Sequence, residues 1–232
     1  MTATKLDLVE KIHHGIDPLA FTTTKESQID FHGWNSSHIY LTKTIELIRP
    51  TIVVEIGVWK GGSTLTMAKA LQRLGQDSAI IAIDTFRGSP EHWCEPELFK
   101  MMNVKNGLPT IYQTFIANIT AKGLQEFIVP LPVDSYSAFE ILKRKGIKAD
   151  LVHIDGGHEY QSVTNDLNTW SQLLSPKGTI IMDDYIWDDE KQIAKGWLDV
   201  AKAVNDFMDA HRNNATLQHH DAKCLISFKH NQ

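Results

Sequence analysis

From about residue 50 onward, short apolar runs alternate with stretches whose apolar positions recur at helical spacing. The runs are TIVVEIG (51–57), SAIIAIDTF (78–86), FIVPLPVD (127–134), ADLVHIDG (149–156) and TIIMDDY (179–185). Each is β-branched or aliphatic nearly throughout and too short for a helix. Strands apolar on both faces, separated by helices, build a parallel sheet covered on both sides. The reading is therefore α/β, with helices expected at GGSTLTMAKALQRLG, TIYQTFIANITAKGL, SYSAFEILKRKG, HEYQSVTNDLNTWSQLLSPKG and DEKQIAKGWLDVAKAVNDFMDAHR. ATLQHH and AKCLISFKH close the chain as an antiparallel pair.

Two regions fall outside this alternation. Residues 1–49 read as an N-terminal cap with one helix from about Ser37, placed to cover a site or to meet a second subunit, so a homo-oligomer is compatible. Between Gly88 and Gly107 the pattern lapses into an inserted loop with one short helix, and long irregular loops in compact domains are commonly functional. The expected division is thus 1–49 as cap and 50–232 as the main domain, with the insertion at about 88–107.

Composition narrows the partners. A net charge of -5, with no run of Lys and Arg, argues against phosphate-neutralising nucleic-acid binding. No run approaches a membrane span, and the first residues lack the apolar core of a signal peptide. Cys94 and Cys224 have no metal-ligand spacing and read as reduced thiols, which fits a cytoplasmic protein.

The strands end in chemistry. VVEIGVWKGGST (53–64) runs from a strand into glycines at 57, 61 and 62, a turn that lets backbone approach a ligand before a helix N-terminus at Ser63 or Thr64. This spacing misses the three-glycine dinucleotide pattern, and Glu55 would repel a pyrophosphate while suiting an ammonium or sulfonium. Asp84, ending the second strand, suits ribose hydroxyls or else caps its own loop. Asp134 and Ser135 suit an adenine amine or form an ordinary helix N-cap.

Asp155, Asp183 and Asp184 end the fourth and fifth strands. On adjacent strands they would gather three oxygen ligands, the set a hard divalent cation wants. His158 stands at the next helix start as a general base or cofactor contact. Trp170 and Trp197 read as core, Trp93 and Trp187 as loop residues near the rim, and Lys60 as a solvated charge.

In this order, VVEIGVWKGGST, IAIDTF, VDSYS, LVHIDGGHEY and GTIIMDDY resemble class I S-adenosylmethionine-dependent methyltransferases. The branch they look like is the small-molecule O-methyltransferases of the cephalosporin-hydroxylase and macrolide-sugar type. The resemblance implies a Rossmann-like seven-stranded sheet, mostly parallel, whose last strand is antiparallel, with helices on both faces. It implies that Glu55, Gly57, Gly61, Gly62 and Ser63 hold the methionine part of the cofactor and Asp84 the ribose, with Asp134 and Ser135 by the adenine. Asp155, Asp183 and Asp184 match the positions that bind a magnesium-type ion in metal-dependent branches. Asp155, also beside the cofactor, or His158 would take a proton from the hydroxyl of a small acceptor such as a sugar, phenol or natural product. A metal-independent methyltransferase and a nucleotide-cofactor oxidoreductase are the alternatives.

Overall fold

A computed structural model of the chain describes residues 1–22 and 28–229, so part of the expected cap and His230 of the closing run lie outside the described residues. Seven strands form one sheet: β1 (Ile52–Ile56), β2 (Ala79–Ile83), β3 (Ile128–Leu131), β4 (Ala149–Ile154), β5 (Leu174–Asp183), β8 (Ala215–His220) and β9 (Lys223–Phe228), in the order β3-β2-β1-β4-β5-β9-β8. β1 to β5 pair in parallel, while β9 runs antiparallel to both β5 and β8. The seven-stranded sheet with an antiparallel last strand is as the sequence led one to expect.

Side-chain alternation along each strand feeds two cores. Val54, Ile56, Ile81 and Ile83 face one side, where they meet α1 (Ala3–His13), α7 (Ser135–Arg144), α8 (Tyr160–Trp170) and α9 (Leu198–Ala210) through Leu8, Phe139, Trp170 and Phe207. Val53, Ile80, Ala82 and Leu151 face the other, packing on α2 (Ile39–Ile48), α3 (Gly62–Leu74) and α6 (Ile111–Lys122) through Leu41, Met67, Leu71 and Phe115. Each fully buried side chain of this size stabilises by roughly 1.5–3 kcal/mol relative to exposure, which is why unbroken aliphatic runs are needed in the central strands.

Several local expectations are corrected. The run expected as one long helix over 189–212 forms helix only from Leu198; before it, β6 (Ile186–Asp188) and β7 (Ile193–Lys195) make a small antiparallel hairpin. Gly196, at φ +66°, ends the hairpin in a conformation that a continuous helix excludes. Trp197 is consequently half-exposed before α9 rather than in the core. α1, unanticipated, is capped by the Thr2 side chain on the Lys5 N–H and ends at His14 in the left-handed region. The insertion holds two short helices, α4 (Pro90–Cys94) and α5 (Pro96–Met101), each opened by a proline. Lys60 is buried and paired with Asp30 at 2.6 Å, not solvated.

Candidate active site

The strand order reverses between β1 and β4, each the start of a series that leads away in the opposite direction. In open α/β sheets such a switch point leaves a crevice outside the carboxyl ends of the strands. Gly57 and Asp155 occupy it. Gly57 has φ +79°, and a Cβ there would fall 1.8 Å from the Asp155 carbonyl oxygen, so β1 and β4 approach this closely only with glycine. Gly61, at φ +87°, leaves room for the Phe115 ring, and Gly62 leaves room for Ser36 of the N-terminal segment. Ser63 is buried in the first turn of α3.

Asp84 holds the glycine turn in place. Its Oδ2 accepts the backbone N–H groups of Val58 at 2.9 Å and Trp59 at 2.8 Å, and its Oδ1 accepts that of Phe86 at 2.6 Å. Burial pushes its pKa up against these three donors. Asp134 is the N-cap of α7, accepting from the Ser137 N–H and hydroxyl, and those bonds lower its pKa. Ser135 donates to Asp166 and accepts from the Trp170 indole N–H at 2.9 Å.

Glu55 is fully buried. Both its oxygens are engaged within the protein, one by the Thr64 hydroxyl and one by His153 Nδ1 at 3.2 Å. From His153 the polar contacts continue across the sheet, because its Nε2 lies 3.4 Å from the Lys223 ammonium, which is bonded to Asp183 Oδ2. Asp183 Oδ1 accepts the Asp184 N–H at 2.8 Å and faces the Asn35 amide at 3.5 Å. A buried polar line thus runs from the first turn of α3 to the N-terminal segment. Burial opposes ionisation of Asp183, yet the Lys223 ammonium beside it brings its pKa below the usual value.

Asp155 is shared between two clusters, one with Asp183 and one with Asp184, each completed by a histidine rather than by the third aspartate. Ligand atoms of Asp155, His158 and Asp184 lie within 4.8 Å of one another, as do those of His153, Asp155 and Asp183. Burial first, and then the Asp183 charge, push the Asp155 carboxyl well above the usual carboxylate range. His158 Nε2 is 3.0 Å from Asp184 Oδ2, and its ring stacks on Trp197 at 4.2 Å. Its Nδ1 is buried with no partner among the described residues. Burial favours the neutral imidazole, but the bond to Asp184 outweighs it and the pKa rises above the ordinary histidine value.

Aromatic groups from three chain segments cluster beside the glycine turn. Trp59 of the glycine turn lies 4.5 Å from His92 of α4 and 5.7 Å from Trp34, which in turn meets His32 at 4.5 Å. Trp59 Nε1 and His92 Nε2 are buried and unpartnered among the described residues. Sequence reasoning passed over His153, Lys223, Trp34 and His92. A histidine inside the aliphatic run LVHID and a lysine opening the buried strand KCLISF were the available signals.

The pattern of a family described as a methyltransferase domain matches residues 54–185, more than half of the chain. The chain belongs to this methyltransferase family. Among curated proteins it is 29% identical over 150 residues to the 8-demethyl-8-(2,3-dimethoxy-alpha-L-rhamnosyl)-tetracenomycin-C 4'-O-methyltransferase of Streptomyces olivaceus, a match that covers 60% of this chain and 54% of that one. It is 31% identical over 135 residues to an uncharacterised protein of Acanthamoeba polyphaga mimivirus, covering 57% and 50%. The match spans about half the length of these two curated relatives.

Among solved structures, the O-methyltransferase TomG of Streptomyces achromogenes, in complex with SAM, superposes with a TM-score of 0.61 at 13% identity, covering 90% of this chain and 92% of that one. An O-methyltransferase from Bacillus cereus, in complex with SAH, gives 0.57 at 13% identity, covering 99% and 92%. These likenesses establish the shared fold. No helix among the described residues is long and apolar enough to cross a membrane.

Proposed function

We propose that the chain is an S-adenosylmethionine-dependent O-methyltransferase acting on a hydroxyl of a small molecule. The observation that carries the reading is the His158–Asp184 pair set beside the Gly57–Asp155 crevice. A glycine turn with exposed backbone at the strand ends suits a cofactor lying against backbone; on this reading Gly57, Gly61, Gly62, Ser63, Asp84, Asp134, Ser135 and Asp155 border it, while Glu55, buried with both oxygens engaged, supports the turn from behind. S-adenosylmethionine supplies an electrophilic methyl group on a sulfonium.

Asp184 accepts the Nε2 proton of His158 and so fixes the tautomer that leaves a lone pair on the unpartnered Nδ1. Nδ1 is covered in the unliganded protein, so acceptor binding has to uncover it; it would then take the acceptor's hydroxyl proton as the methyl group passes from the sulfonium sulfur to the acceptor oxygen. The products are a methyl ether, S-adenosylhomocysteine and an imidazolium that Asp184 stabilises. Trp197 holds the imidazole plane, and the Trp59 and His92 rings stack beside the glycine turn, so that alignment supplies much of the rate.

The expected set for a magnesium-type ion is Asp155, Asp183 and Asp184; the groups whose ligand atoms lie together are Asp155 with His158 and Asp184, and Asp155 with His153 and Asp183, and an ion held there would lower the pKa of a bound hydroxyl. A second reading without metal is favoured by the Lys223 ammonium already seated on Asp183. The family match lends no support to the oxidoreductase alternative. The curated relative named as a tetracenomycin-C 4'-O-methyltransferase supports a hydroxylated small acceptor, and a cytoplasmic enzyme is our reading of the composition.

Calorimetric titration with S-adenosylmethionine, followed by detection of S-adenosylhomocysteine across a panel of sugars, phenols and natural-product alcohols, tests the reading. Micromolar cofactor binding with turnover on one acceptor class is the expected result; no cofactor binding with or without magnesium overturns it. Loss of turnover in chelator, restored by magnesium, selects the metal-assisted form.

A further inference from the structure

Lys223 opens β9, and no part of its side chain reaches solvent. The antiparallel register sets it directly opposite Asp183. Strand alternation then fixes the face: Ile181 and Leu225, two residues along from each, pack into the α2–α3 core, so Asp183 and Lys223 project to that side together. A lysine taken fully out of water is strongly destabilising unless it is paired and hydrogen-bonded. Here it bonds Asp183 Oδ2, and His153 Nε2 lies 3.4 Å away. Asp183 Oδ1 is occupied as well, by the Asp184 N–H at 2.8 Å. Of the three rim aspartates, this one has already met its cation.

We propose that Lys223 is the resident cation of the rim, a positioning residue whose ammonium stands on Asp183 where a divalent ion would otherwise bind. Asp183 is thereby held on one oxygen by Lys223 and faces the Asn35 amide of the N-terminal segment with the other, and a fixed positive charge is supplied without an exogenous ion. The acidic groups left for a divalent ion are Asp155 and Asp184, which weakens the site for such ions. The proposal rests on the methyltransferase reading for its functional meaning, but its charge argument does not.

The test reads Mn2+ binding by electron paramagnetic resonance on the unliganded protein, wild type against Lys223→Met and Lys223→Gln, with Lys223→Arg as the charge-keeping control. Removing one unit charge a few ångströms from the carboxylates should tighten Mn2+ by about tenfold or more in both neutral variants. Lys223→Arg should bind like wild type. Unchanged or weaker binding in whichever neutral variant folds, or tightening in Lys223→Arg equal to that in Lys223→Met, overturns the proposal. S-adenosylmethionine binding is measured on the same samples: its absence throughout would sink the methyl-transfer reading while leaving the Mn2+ comparison decisive for Lys223.

Discussion

A Cβ on Gly57 would sit 1.8 Å from the carbonyl oxygen of Asp155, so the two strands on either side of the switch point are held at a separation that only glycine permits. Gly57 also has φ +79°, and its N–H bonds the Ile83 carbonyl at 3.0 Å, tying the turn to β2 as well. Gly57→Ala must therefore move backbone rather than a side chain. We expect it to cost about 3 kcal/mol or more and to abolish cofactor binding. Gly75→Ala is the control: it also has positive φ, but meets nothing within 4 Å, and should cost only about 1 kcal/mol. Denaturant unfolding of the two variants checks the contrast.

The His158–Asp184 pair predicts a pH profile. Burial lowers the imidazole pKa, and the Asp184 bond raises it by more, so the net position is above the model-peptide value of about 6.5. As the base must be neutral to act, kcat/KM should fall as pH drops through this raised value. Asp184→Asn suits the position, since residue 184 has φ +57° and asparagine tolerates the left-handed region. It removes the charge that raises the pKa, so the acid limb should move to lower pH while the maximal rate drops by about tenfold to a thousandfold. An acid limb that stays in place would remove His158 as the base.

How much of this was legible beforehand depends on period and on partners. The five parallel strands could be read because each is a continuous aliphatic run, and the carboxylates stood out because they interrupt those runs. Strand-end position alone also pointed to Asp155, Asp183 and Asp184, though not to the histidines, His153 and His158, that share their two clusters. Lys223 could not be matched to Asp183 without the β5–β9 register, since the two lie 40 positions apart and antiparallel pairing is fixed by geometry that the local sequence does not encode. The 186–195 hairpin was hidden for a different reason. Its residues carry an amphipathic spacing continuous with α9, and only Gly196 marks the break.

Asp166 predicts a pH dependence of stability rather than of rate. Burial raises its pKa to about 6, against the lowering effect of the Ser135 hydroxyl. The unfolded value is about 3.9, so between these two pH values the native state binds the proton more tightly. Stability from this group is fully present below pH 4, and is lost as pH rises through about 6. Asp166→Asn keeps an acceptor for Ser135 and has no charge to desolvate. The variant should gain on the order of 1–2 kcal/mol over wild type at pH 7.5 and nothing at pH 4, after allowance for partial solvent screening. Urea unfolding at the two pH values reads the difference, and an equal gain at both would rule out the desolvated carboxylate as its source.

Trp197 and Trp170 separate catalysis from folding. Both were expected in the core, but Trp197 is 44% exposed and stacks on His158, while Trp170 is fully buried between α7 and the sheet with its indole N–H on Ser135. Trp170→Ala leaves a cavity and removes the indole donor from Ser135, and should cost about 3–5 kcal/mol. Trp197→Ala removes a side chain only about half buried at the surface, so it should cost less, about 1–3 kcal/mol. It does free the imidazole ring to rotate away from the crevice. The expected signature is a fall in kcat of about tenfold with cofactor affinity unchanged, because the loss is in base alignment and not in binding. Rescue of kcat by Trp197→Phe, which restores a stacking face without the indole N–H, would assign the effect to the ring plane; a cofactor affinity that falls in step with kcat would place Trp197 in the cofactor site instead.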